Sequence, residues 1–143
     1  MKKLFSLLAL VAAMMFTACG SDGGSKRAQS VDALPEDLQE FVYDMRSMIM
    51  YKFDSKETRF DDIVVEGNNL VCRFTFNEDE AGMSLKEGLR ELSEQSIIDD
   101  FWRQLNKRCR PEVLHEYKYN IIVRFKGNKS RYEKDMRISY REF

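Results

Sequence analysis

Tyr117-Lys118-Tyr119-Asn120-Ile121-Ile122-Val123-Arg124-Phe125-Lys126 is the stretch on which the fold turns. Tyr117, Tyr119, Ile121, Val123 and Phe125 alternate with Lys118, Asn120, Ile122, Arg124 and Lys126. A period of two belongs to an extended strand with one buried face. Gly127-Asn128 suits a turn, and beyond it Met136, Ile138 and Tyr140 alternate with Asp135, Arg137, Ser139 and Arg141. The two segments predict a hairpin.

Upstream lies a second hairpin. Ile63-Val64-Val65 and Leu70 to Phe76 flank Gly67-Asn68-Asn69, residues that tolerate positive φ. Leu70, Cys72, Phe74 and Phe76 share one face of the second strand, and Arg73, Thr75 and Asn77 the other. Each hairpin is preceded by a helical pattern. Leu38, Phe41, Val42, Met45, Met48 and Ile49 form one stripe at helical spacing, behind Pro35, Glu36 and Asp37 as a first turn. Ser84 and Glu87 predict a capping box opening a second helical region. Leu85, Leu89 and Leu92 fall on one side of it, and Ile98, Phe101, Trp102, Leu105 and Cys109 nearly opposite. Either the helix breaks near Ser93–Ser96 or it lies between two apolar surfaces, and a break is the preferred reading. The order α-β-β-α-β-β predicts an α+β fold with two helical segments packed on one face of an antiparallel sheet.

The 143 residues hold one such domain plus a leading segment, and with 43% apolar and 12% aromatic residues they can build a core. Lys2 and Lys3 precede a run of apolar or small residues from Leu4 to Phe16, broken only by Ser6. Thirteen residues at about 1.5 Å each span roughly 20 Å, short of a ~30 Å hydrocarbon core, so the run reads as a signal peptide. It ends in Phe16-Thr17-Ala18-Cys19, which resembles the lipobox of bacterial lipoproteins, with Phe16 where Leu is usual. The resemblance implies a signal peptide over 1–18, acylation of Cys19 as the mature N-terminus, and attachment to the cell envelope. Gly20 in place of Asp after that cysteine implies the outer membrane. Two acyl chains suffice for stable attachment. Gly20 to Ser30 reads as a tether, so 19–30 lead into a single domain over 31–143. The order of elements behind a lipobox also resembles small lipoprotein-attached domains of unassigned function, which imports no chemistry.

Charge is unevenly placed. From Cys19 to Trp102 there are 9 basic and 19 acidic residues, and from Arg103 to Phe143 there are 12 basic and 5 acidic. The chain as a whole is at −1, which argues against a nucleic-acid partner. Lys118, Arg124 and Lys126 on one strand, with Arg137 and Arg141 on the next, predict a cationic open sheet face. Such a face would take an anionic envelope ligand or a protein partner.

Catalysis has little to draw on. His115 is the only histidine, and no nucleophile motif surrounds it. The sequence contains no P-loop, GxGxxG or CxxC, and Asn77-Glu78-Asp79-Glu80 lacks the spacing of a calcium loop. No metal or cofactor is expected. Cys72 and Cys109 either close a disulfide around 36 residues, worth roughly 4 kcal/mol, or sit as two buried thiols. The expectation is a non-enzymatic binding or accessory module anchored to a membrane. The alternatives are a structural subunit using Ile98, Phe101, Trp102 and Leu105, and a small enzyme.

Overall fold

The computed structural model describes residues 29–143. The signal peptide, Cys19 and all but the last two residues of the tether lie outside that range. Helix α1 (Glu36–Lys52) buries all six residues of the predicted stripe, so Met45 and Met48 are core. Pro35 stands at its N-cap, and Glu36 and Asp37 occupy the first turn at the positive helix end. Gln39 Nε2 donates to the carbonyls of Leu34 (2.7 Å) and Asp32 (3.1 Å), tying the entering chain to the helix.

Strands β1 (Thr58–Glu66) and β2 (Asn69–Phe76) form the first hairpin, closed by Gly67-Asn68 with Gly67 at φ 64°. A β-bulge interrupts the register between Phe60 and Asp62. The chain continues through α2 (Glu78–Ala81), α3 (Leu85–Glu91), α4 (Glu94–Arg108) and α5 (Glu112–Tyr117). Strands β3 (Asn120–Gly127) and β4 (Glu133–Ile138) follow, and a 3-10 turn over Tyr140–Glu142 ends it. The fold is α+β. The predicted break is present: α3 ends at Glu91, and Ser93 caps α4 by accepting from the Ser96 amide. The capping box of Ser84 and Glu87 is complete.

The sheet order is β1-β2-β3-β4, and here the expectation of an antiparallel sheet is corrected. The two hairpins are antiparallel, but β2 and β3 run parallel from Asn69↔Asn120 to Phe76↔Gly127. Alternation reports which face a side chain occupies, and it is the same for either strand direction. A parallel pair needs a long crossover, which α2 to α5 supply. The triplets Leu70-Val71-Cys72 and Ile121-Ile122-Val123 are buried throughout, so the alternation of exposure is lost at the centre of the sheet.

A second correction concerns the start of β3. Tyr117 closes helix α5, and Lys118 is its left-handed C-cap at φ 60°, ψ 46°. The Tyr119 amide donates to the Leu114 carbonyl at 3.0 Å, so the chain is still leaving the helix at that point. Leu114 anchors α5 in the core. The core itself packs α1 and Phe101 and Leu105 of α4 against Ile63, Leu70, Cys72, Phe74, Ile121, Val123 and Ile138 of the sheet. Gln29 pairs with Val65 along the outer edge of β1, covering part of an edge that would otherwise offer free backbone groups.

Candidate functional site

Three of the five basic residues predicted for the sheet face lie on its strands: Arg124, Lys126 and Arg137. Lys118 caps α5, and Arg141 lies in the terminal turn with its guanidinium 5.7 Å from the Tyr140 ring centre. Two of the three, Arg124 and Lys126, face an acid across the strands, while Arg137 opposes Ile122. Arg124 opposes Asp135 across the strands, and Lys126 opposes Glu133. Arg124 donates to Asp135 at 2.7 and 3.0 Å and to Glu66 at 3.0 and 3.3 Å. Both carboxylates, Asp135 first and then Glu66, hold its guanidinium above its usual pKa.

The neighbouring position repeats the pattern. Arg73 makes paired bonds of 2.6 and 2.7 Å to Asp62. Those bonds hold the Asp62 carboxyl below the usual range. Across the sheet the row therefore reads Asp62, Arg73, Arg124, Asp135, with the two cations flanked by two anions. The bulge gives Asp61 a place beside Asp62, where it accepts from Thr75 Oγ1 at 2.6 Å. By register Val71 lies between Arg124 and Glu66, so that ion pair bridges over it and accounts for a fully buried valine on the open face. The face is charge-balanced, because the acids that offset it come from β1 and β4 themselves.

A deep concavity lies elsewhere. A cavity of about 880 Å³ opens between the sheet, α3 and the first turns of α4, at the end where β1 begins and β2 ends. That volume falls in the range of roughly 300–1,000 Å³ typical of ligand pockets. Its interior is aromatic: Phe53 stacks on Phe101 at 5.3 Å, and Phe74 on Phe125 at 5.1 Å, between ring centres. Phe76, Met83 and Leu89 extend the apolar lining, and Leu92, 62% exposed, stands at the mouth. The helix break makes this space, because the chain turns at Leu92-Ser93 rather than laying one straight helix on the sheet. Gly88 adds to it by presenting no side chain toward Phe76.

Glu78 fixes the wall. Its carboxylate is 8% exposed and accepts from Ser130 Oγ (2.6 Å) and the amides of Ser130 (2.7 Å), Leu85 (2.8 Å) and Lys129 (2.9 Å). Leu85 is the first residue of α3, and Lys129 and Ser130 form the β3–β4 turn. One carboxylate thus pins the helix beside the cavity to the second hairpin. These donors, the Ser130 hydroxyl foremost, lower its pKa to about 2. In the sequence Glu78 stands in the acidic run Asn77-Glu78-Asp79-Glu80, which by itself points to no such role. Its only local sign was Asn77, whose side chain caps the short helix α2 by accepting from Asp79 and Glu80.

The remaining candidates are scattered. Cys72 and Cys109 are both buried free thiols, so the disulfide alternative is not the one realised. Burial raises the pKa of Cys72 far above the thiol range, and burial with nearby Asp44 pushes Cys109 up to about 11. Neither is a thiolate at neutral pH. His115 is exposed on α5, with its ring edge-on to Tyr140. On α4, Phe101 and Leu105 are core, Ile98 is half-buried and Trp102 is 38% exposed. Among the described residues no group of three His, Cys, Asp or Glu side chains is placed to hold a metal ion. Among the same residues no helix is long and apolar enough to cross a membrane. No protein-family model matches the chain, no curated protein matches it, and no solved structure matches its fold.

Proposed function

We propose that this chain is an envelope lipoprotein, held at the outer membrane through acylated Cys19, whose folded domain binds a ligand and does no chemistry on it. The lipobox Phe16 to Cys19 supports the anchor. The observation that carries the binding role is the cavity of about 880 Å³, lined by phenylalanines and open to solvent beside Leu92. Phe53, Phe76, Met83 and Leu89 are only partly buried there, which leaves apolar surface for a ligand to cover. The proposal places binding in the cavity rather than on the sheet face, where Arg124 is already engaged by two carboxylates.

The test uses the full chain carrying Cys19→Ser, which removes the acyl anchor and leaves every described residue in place. A neutral naphthylamine dye should bind with enhanced fluorescence. Gly88→Leu projects a side chain toward Phe76 and into the cavity, where a Cβ meets the ring at an ordinary 3.5 Å. Replacing a glycine inside a helix also favours the helix by about 1 kcal/mol. The variant should therefore melt no lower than its parent and lose the dye signal. Equal dye binding by both proteins would exclude the cavity as the site.

A further inference from the structure

We infer that the occupant of the cavity is a single-chain amphiphile with a cationic head. This rests on the binding role proposed above and concerns the same site. The lining is mostly apolar and suits an apolar chain: stacked Phe53–Phe101 and Phe74–Phe125, with Leu89 and Met83 beside them. The rim carries the information about charge. Six charged residues line it, and two of them cancel, because Arg103 donates to Asp100 at 2.6 Å. Glu57, Glu80 and Glu91 are exposed and make no ion pair among the described residues.

The one rim cation left, Lys52, lies over the Tyr51 ring at 5.2 Å, on the outer side of α1. The mouth therefore holds a surplus of negative charge above an aromatic interior. An ammonium group is served by both, through the carboxylates and through the ring faces. A carboxylate or phosphate head on the same chain would meet three like charges, with Lys52 alone in the lining to offset them. The surplus also runs opposite to the basic C-terminal third of the sequence, whose Lys129 and Lys134 are spent on Asp79 and Glu94.

Titration calorimetry on the Cys19→Ser chain compares three ligands of equal chain length below their micelle concentrations: decyltrimethylammonium, decanol and decanoate. Exposed charge pairs are individually weak, so the cation should bind about tenfold more tightly than decanoate, with decanol between them. High salt should shrink that ratio, and so should the triple variant Glu57→Gln, Glu80→Gln, Glu91→Gln. Gly88→Leu should remove binding of all three ligands. Equal affinity for the three, or a preference for decanoate, would overturn the assignment of the head group and leave the cavity standing as a binding site. Cation binding that survives in Gly88→Leu would place it on the acidic surface outside the cavity, which also overturns the inference. Failure of all three ligands to bind would remove the cavity reading and this one together.

Discussion

Alanine at Gly127 would set a methyl group 2.7 Å from Glu78 Oε2, 2.7 Å from Ser130 Oγ and 2.9 Å from Glu78 Cδ. Side-chain tips usually yield to such a contact at little cost. These cannot swing aside, because the carboxylate is held by three amides and the Ser130 hydroxyl, all within 2.9 Å. Gly127 does not have positive φ, so alanine meets no backbone penalty. Restricting the unfolded chain would by itself favour alanine there by about 0.4–1 kcal/mol. Overpacking opposes it with about 1–3 kcal/mol. The steric cost wins, leaving Gly127→Ala less stable by roughly 1–2 kcal/mol, enough to lower the melting temperature by about 4 °C or more. Urea and thermal denaturation, followed by circular dichroism on the Cys19→Ser chain, measure this directly. The same substitution in a Glu78→Ala background should cost much less, since both Glu78 atoms are gone and the Ser130 hydroxyl, no longer held by the carboxylate, can turn away, and the two changes should be strongly non-additive. A Gly127→Ala protein as stable as its parent would refute this account of the cavity wall, and so would an equal cost in both backgrounds.

Two further outcomes follow from the charges of Glu78 and Arg124. Because the Glu78 pKa falls from 4.5 to about 2 on folding, its stabilisation is fully present above pH 4.5 and is lost as pH falls through about 2. Denaturation midpoints of parent and Glu78→Gln, compared between pH 6 and pH 2, should differ by a constant amount above pH 4.5 and converge toward pH 2; a gap independent of pH would contradict it. Arg124→Ala removes two ion pairs and uncovers Val71, and should cost about 1–2 kcal/mol in urea denaturation. Part of that cost should persist at high salt, and a loss abolished by salt would mean that the side chain does not cover Val71.

Local residue pattern determined much of this protein. Helix α1 was legible because six apolar residues at helical spacing have only one way to be buried together. The capping box at Ser84 and the break before Ser93 were legible for the same kind of reason, since caps act within four residues. The resemblance of Phe16 to Cys19 to a lipobox is a linear pattern, and it is read without any fold. What lay beyond the sequence was every relation between distant segments. Strand direction was one: side chains along β2 and β3 take the two faces in turn whether the strands run parallel or not, and only the crossover through α2 to α5 sets their direction. The balance of the sheet face was another, since Glu66 reaches Arg124 across a strand that lies between them. Glu133 and Asp135 did give a local hint, standing on the same face as Arg137, but which base each would oppose depends on register. The cavity is the clearest case. Its phenylalanines come from α1's end, two strands and α4, each apolar for reasons of its own, and the helix on its wall is tied to the second hairpin by a carboxylate, two of whose partners lie about fifty residues away. Sequence fixes short-range preference, whereas empty space is a property of how finished elements fail to fill the gap between them.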